Sequence, residues 1–189
     1  MKLEKIAVAT GNKGKLREIR EIFTGVELVS MSELGFDGDI DETGSNFREN
    51  AKIKAEVIAK KYNIPTLADD SGLCVDGLDG APGIYSARFS GEGDAGNRKL
   101  LLKRMECVFD RKAHFECAVC LYMPDGHTYF GQGQTHGRIL YEEIGTNGFG
   151  YDCVFFSEDL KKSFGVATEE EKNSVSHRFR ALQDLRSKL

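Results

Sequence analysis

Ile6-Ala-Val-Ala-Thr-Gly-Asn-Lys-Gly-Lys-Leu16 is the stretch on which the fold turns. Ile6 to Ala9 form a short apolar run of the kind that makes a buried strand. Beyond it, Leu16, Ile19, Ile22 and Phe23 recur at helical spacing. Between them lies the loop Thr10, Gly11, Asn12, Lys13, Gly14 and Lys15. A strand, a glycine-containing loop and a helix start together form an anion site, because the first amides of a helix have no partner within it and its dipole is positive there. Lys13 and Lys15 add charge. The spacing matches neither a P-loop nor a GxGxxG dinucleotide fingerprint. Such a loop also reads as a plain connector between two elements.

Working outward, a second helix is predicted from about Asn46, with Glu49 three residues on as capping-box partner. Phe47, Ala51, Ala55, Ile58 and Tyr62 form its inner stripe. Ile64-Pro-Thr-Leu-Ala68 reads as a short strand ending at Asp69-Asp70, and a third helix covers about Asp94 to Glu106. His114 to Tyr122 and Thr128 to Gly133 pair as a hairpin about Pro124-Asp-Gly126. Cys153 to Phe156 reads as another strand. Thr168 with Glu171 forms a capping box, and Phe179, Leu182, Leu185 and Leu189 line a final helix. Strands and helices alternate but the middle is hairpin-like, so an α/β fold on a mixed sheet is expected.

A chain of 189 residues suits one domain, or one domain with two lobes. The net charge of −4 removes non-specific nucleic-acid binding, which needs a basic surface. No apolar run approaches the roughly 20 residues that span a bilayer, and the first residues carry no secretory apolar region. A cytoplasmic protein with neither nucleic acid nor membrane as partner is expected. The cysteines Cys74, Cys107, Cys117, Cys120 and Cys153 sit in apolar context. Cys117 and Cys120 have redox-motif spacing, but on a strand they point to opposite faces. All five are expected as buried small apolar residues.

Two segments carry chemistry. Asn147-Gly-Phe-Gly-Tyr-Asp152, with Lys172 and Ser176-His-Arg178 after it, combines an aromatic face, a carboxylate and cationic donors. A nucleobase needs that set: Phe149 for stacking, Asp152, His177 and Arg178 for its polar edge, and Gly148 and Gly150 for close backbone approach. The same stretch also reads as a glycine-rich turn with a helix cap behind it. Asp69-Asp70 is the strongest candidate for catalysis. Neighbouring strand residues face opposite sides, so Asp70 is expected to face the reaction and Asp69 to support it or the following Ser71-Gly72 turn. An Asx-turn ending a strand remains the plainer account. Asp41-Glu42 is either a solvated acidic loop or, beside Asp70, a source of the hard oxygens Mg²⁺ prefers. Lys54, one helical turn after Asn50, is read equally as a site lysine or a solvated one.

Taken together these segments resemble the inosine/xanthosine triphosphate pyrophosphatase family of the Ham1 type. The matching residues are Thr10-Gly-Asn-x-x-Lys15, Glu42-Thr-Gly44 with Phe47-x-Glu-Asn-Ala51 and Lys54-Ala55, and Ala68-Asp-Asp-Ser-Gly-Leu73. They continue through Gly80-Ala-Pro-Gly-Ile-Tyr-Ser-Ala-Arg88, Gly148-Phe-Gly-Tyr-Asp152, Glu170-Glu-Lys172 and Ser176-His-Arg178. The order is collinear over nearly the whole chain. The resemblance implies an elongated two-lobed fold with a central cleft, residues 1–189 as a single domain, and a homodimer. It implies hydrolysis of purine nucleoside triphosphates such as ITP, dITP and XTP to the monophosphate and pyrophosphate.

In that scheme water attacks the α-phosphorus and Asp70 takes its proton, with Mg²⁺, one per subunit, held by Asp41, Glu42 and Asp70. Lys15 and Lys54 neutralise the leaving pyrophosphate. Thr10, Gly11, Asn12, Lys13, Gly14 and Ser71 meet the phosphates. Phe149, Gly150, Tyr151, Asp152, Lys172, His177 and Arg178 meet the base or sugar. Hypoxanthine offers O6 as acceptor and N1–H as donor, and adenine reverses both, so cationic donors with Asp152 favour the deaminated base. Asp41 stands where many relatives carry glutamate, Cys153 where a proline is common, and Phe164-Gly-Val-Ala167 replaces a more acidic stretch. Two alternatives remain: a pyrophosphatase for other modified nucleotides on a related fold, and a catalytically silent nucleotide-binding module.

Overall fold

The structure, a computed structural model, describes residues 3–189. Among these, seven strands hydrogen-bond in the order β2-β1-β3-β4-β5-β6-β7. β1 (Lys5–Val8) pairs in parallel with β2 (Glu27–Ser30) and with β3 (Thr66–Val75). Parallel neighbours need crossovers, which α1 (Lys13–Ile22) and α2 (Phe47–Tyr62) supply. β4 (Lys112–Tyr122) and β5 (Thr128–Ile139) are neighbours joined by a turn in which Met123 N–H donates to the His127 carbonyl at 2.8 Å. β6 (Phe155–Ser157) and β7 (Lys162–Ser163) add antiparallel pairs. Helices α3 (Gly93–Arg104), α4 (Glu169–Val175) and α5 (His177–Arg186) complete the set. The mixed α/β sheet expected from the pattern is present.

The chain forms two compact units: residues 1–70, 117–133 and 178–189 in the first, and residues 71–116 and 134–177 in the second. In the first unit the sheet is covered on both faces. Ile6, Val8, Cys117, Val119 and Leu121 enter one apolar cluster, and Ala7, Ala9, Cys120 and Tyr122 enter the other. A strand buried on both sides reads as a continuous apolar run, which is why Ile6–Ala9 stood out. Cys117 and Cys120 lie on opposite faces, as strand geometry requires. The second unit has its own core, with Leu73, Val75, Phe115, Ile139, Phe155 and Phe164 at its centre.

Several expectations need correction. β3 does not end at Asp69-Asp70 but runs through them to Val75, and β5 continues to Ile139. Asp152–Val154 take a 3₁₀ turn, so β6 starts only at Phe155. Leu189 lies exposed beyond the end of α5. Cys107 is exposed and Cys74 half-buried, so two of the five thiols are not core residues. Among the described residues no helix is long and apolar enough to cross a membrane.

Candidate active site

In the first unit the loop after β1 is ordered by its own side chains. Asn12 caps α1, its Oδ1 accepting the Lys15 amide at 3.1 Å, and the Asn12 amide donates to Thr10 Oγ1 at 3.2 Å. Gly11 is exposed, with open space where a Cβ would stand. The Lys15 ammonium is 3.2 Å from Asp69 Oδ2. That oxygen also accepts from Arg178 Nε at 3.2 Å and Nη2 at 3.0 Å, and Arg178 Nη1 donates to Glu18. Asp69, Arg178 and Glu18 are all buried, and a buried charge survives only when paired and hydrogen-bonded. Burial alone would raise the Asp69 carboxyl. The Lys15 and Arg178 charges override it and hold the group well below the usual carboxylate range.

Asp70 has different partners. Its Oδ2 accepts from Asn50 Nδ2 at 3.1 Å, and its Oδ1 lies 3.3 Å from Lys54 Nζ. Lys54 Nζ also contacts Glu42 Oε1 at 2.7 Å. Asn50 and Lys54 are four apart on α2 and so share a face. Asn50 Oδ1 accepts the Gly44 amide at 2.8 Å, which ties the acidic loop to the helix. Any Cβ on Gly44 would stand 2.6 Å from the Glu49 Cβ, so this close approach requires glycine. Burial raises the Asp70 carboxyl and Glu42 adds to the rise. Lys54 and Lys15 oppose them, and the balance stays above the ordinary value. For Lys54 burial lowers the pKa, but Asp70, Asp69 and Glu42 outweigh it, so the ammonium stays charged. Two adjacent carboxylates are thus pushed in opposite directions by their surroundings, the pattern that separates a structural acid from a poised base.

The second unit assembles the other candidate residues. Asp152 Oδ2 accepts the Phe149 amide at 2.8 Å and lies 2.6 Å from Lys172 Nζ, which in turn sits 4.4 Å from the Phe149 ring centroid. Gly148, at φ +76°, would bring a Cβ within 2.1 Å of Asp152 Oδ2, so only glycine allows this turn. The Gly150 amide donates to Asp94 at 3.1 Å and its carbonyl accepts from Arg98 at 3.1 Å. A cavity of about 330 Å³ opens among Phe149, Asp152, Gly148, Asp94, Arg98 and Glu143, at the lower end of the range for ligand pockets. Lys172 is placed by the Thr168 capping box on α4, in which Thr168 and Glu171 exchange bonds at 3.2 and 2.9 Å. His177 is buried, its ring 5.0 Å from that of Phe115 and inclined by 15°.

Residues 6–188 match the Ham1 family. A relative from Geobacter sulfurreducens, named a dITP/XTP pyrophosphatase, is 45% identical over 193 residues, covering 99% of this chain and 97% of its own. A dITP/XTP pyrophosphatase from Listeria monocytogenes is 42% identical, covering 99% and 95%. The solved Ham1 protein of Staphylococcus aureus superposes with a TM-score of 0.87 at 40% identity, covering 97% of both chains. The chain belongs to the Ham1 family.

Within this Ham1 chain, three expectations about individual residues are modified. Arg178, expected at the base edge, is 1% exposed and its guanidinium engages Asp69 and Glu18. Tyr151, expected among the ligand contacts, has its ring in the core and its hydroxyl donating to the Ser86 carbonyl at 2.8 Å. Asp41 is exposed. Among the described residues Asp41, Glu42 and Asp70 do not gather their oxygens within 4.8 Å of one another. Instead Glu42 and Asp70 converge on the single cation Lys54. Two hard carboxylate oxygens turned toward one positive charge are a donor set that fits Mg²⁺.

The sequence places Asn50 in a family motif and beside Lys54 but gives it no role of its own, and it gives no sign of Glu18 as a site residue. Asn50 falls on the same helical face as Lys54, a signal present in the spacing. Glu18 stands beside Ile19 on the inner side of α1, and a charged residue there calls for a buried partner. Ser71 is half-buried, directly after Asp70 on β3.

Proposed function

We propose that this Ham1 chain hydrolyses deaminated purine nucleoside triphosphates (ITP, dITP and XTP) to the monophosphate and pyrophosphate. The observation that carries the reading is Asp70: a buried carboxylate of raised pKa, held between Lys54 and Asn50 and beside Glu42. The names of the relatives, dITP/XTP pyrophosphatase, support the substrate class.

The residues about Asp70 handle the triphosphate. Asp70 accepts a proton from the water that attacks the α-phosphorus, and its raised pKa makes it a stronger base than an ordinary aspartate. Lys54 and Lys15 offset the negative charge that builds on the departing pyrophosphate, aided by Thr10, Asn12, Lys13, Ser71 and the backbone about Gly11 and Gly14. Asp69, locked by Arg178, fixes where Lys15 stands. Glu42 and Asp70 would hold Mg²⁺, one per subunit, which would supply charge neutralisation for the phosphates.

Phe149 and its neighbours handle the base. Phe149 stacks on it, the Gly150 turn gives it room, and Asp152, Lys172 and His177 supply the polar contacts that suit O6 and N1–H. Adenine would leave these groups unpaired. We place the protein in the cytoplasm, where its five free cysteines stay reduced, and as a homodimer, which sedimentation would test.

The experiment is a panel of ITP, dITP, XTP, ATP, GTP and dUTP with Mg²⁺, in which pyrophosphate and orthophosphate are assayed separately. Pyrophosphate from the deaminated purines is expected. Orthophosphate as first product, or tight ITP binding without turnover, would overturn the proposal. A preference for dUTP would favour a pyrophosphatase for other modified nucleotides.

A further inference from the structure

On the strands of the second unit, the side opposite the apolar core carries a cluster that the proposed hydrolysis does not use. Ala113 and Phe115 on β4 enter the core, as do Leu73 and Val75 on β3. The alternation of a strand then sends His114 and Glu116 together to the other side, and Cys74 with them from the neighbouring strand. The consequence is close approach: Cys74 Sγ, a His114 ring nitrogen and a Glu116 carboxylate oxygen all lie within 4.8 Å of one another. His114 Nε2 is 3.7 Å from Glu116 Oε2. Gln134 on β5 donates to that same oxygen at 2.8 Å, and the His136 ring lies 5.6 Å from that of His114. All three candidate ligands are half-buried, which leaves them reachable from solvent yet restricts their motion.

We propose that Cys74, His114 and Glu116 form a binding site for a borderline-soft divalent cation of the Zn²⁺ type. The donor set decides the metal class. Mg²⁺ and Ca²⁺ take oxygen ligands, whereas one thiolate, one imidazole and one carboxylate suit Zn²⁺ and its neighbours. Three protein ligands leave a fourth tetrahedral position for water. Zinc bonds of about 2.0–2.3 Å put ligand atoms about 3.5 Å apart, so the three arms must close by roughly 1 Å, within reach of side-chain rotation. Gln134 orients the Glu116 carboxylate, the part a supporting hydrogen bond plays at metal sites. An ordinary solvated sheet face would carry polar residues too, but it gives no reason for a thiol, an imidazole and a carboxylate to converge. The occupied site would tie β3 to β4 through side chains.

The test is a titration of the whole chain, freed of metal by a chelator, with Co²⁺ as the probe. A thiolate-to-cobalt charge-transfer band should saturate at one equivalent and disappear when Zn²⁺ is added, while excess Mg²⁺ leaves it unchanged. The band should vanish in Cys74→Ser and persist in both Cys107→Ser and Asp70→Asn. His114→Ala and Glu116→Gln should each weaken binding by at least about tenfold. No band in the wild type, or one that survives Cys74→Ser, overturns the proposal. Should Cys74→Ser melt early, Glu116→Gln keeps the thiol, and unchanged affinity in that variant overturns it equally. Because Asp70→Asn is an arm of the test, failure of this site is separable from failure of the proposed hydrolysis.

Discussion

Asp69 and Asp70 are neighbours on one strand, yet removing their charges should have opposite effects on stability. Asp69 has no exposed side-chain surface and accepts three contacts from Lys15 and Arg178 between 3.0 and 3.2 Å. At an effective dielectric of about 20, each unit-charge contact at that distance is worth about 5 kcal/mol before desolvation is subtracted. Removing one partner of a buried pair costs about 3–5 kcal/mol net, because the Arg178 guanidinium left behind stays buried. For a chain of this size that is roughly 10 °C in Tm. Asp69→Asn should therefore melt about 10 °C below wild type at pH 7.

Asp70→Asn removes a carboxylate that burial already penalises, and Lys54 keeps Glu42 as partner. It should melt at or above the wild-type temperature. The pH dependence carries the same signs. The folded pKa of Asp69 is depressed, so its stabilisation is full above the ordinary 3.8 and is lost as pH falls toward the folded value. For Asp70 the folded pKa is raised, so its stabilisation is present below 3.8 and is lost as pH rises through the folded value. Calorimetry of both variants between pH 3 and 8, to be read against the linkage relation, is the assay. Equal destabilisation of the two, or an Asp69→Asn shift under about 2 °C, would refute the division of roles.

Three further outcomes are expected. With no divalent cation present, the Asp70 carboxyl followed by NMR should titrate above the ordinary aspartate value and move further upward in Lys54→Met, since Lys54 lowers the Asp70 pKa; a downward move contradicts the poised carboxylate. Gly148→Ala should cut kcat/KM for ITP by at least about tenfold, because the added carbon displaces the Asp152 carboxylate, and an unchanged value would remove that carboxylate from base binding. His177→Ala should narrow the ITP-to-ATP ratio beyond any loss of stability from its place against Phe115, and an unaltered ratio clears it of base reading.

Local chemistry was legible in the chain. Asn12 and Thr168 cap their helices with partners three residues away, and the Ile6–Ala9 run announced a strand covered on both faces. What the chain does not display locally depends on distant partners. Asp69-Asp70-Ser71-Gly72 has the composition of a turn, yet β3 continues through it, its two carboxylates met by cations from α1, α2 and α5. Arg178 meets Asp69 across 109 positions of sequence, which no spacing rule detects. Tyr151 sits within the Asn147–Asp152 motif, yet its hydroxyl is claimed by the Ser86 carbonyl. The Cys74, His114 and Glu116 cluster needs the pairing of β3 with β4 before it exists at all.

The most direct measurement is the fate of water oxygen during a single turnover of ITP in ¹⁸O-water. Attack at the α-phosphorus, with Asp70 receiving the proton, places the label in inosine monophosphate and leaves pyrophosphate unlabelled. Label in pyrophosphate or in orthophosphate would contradict the account, as would full turnover by Asp70→Asn.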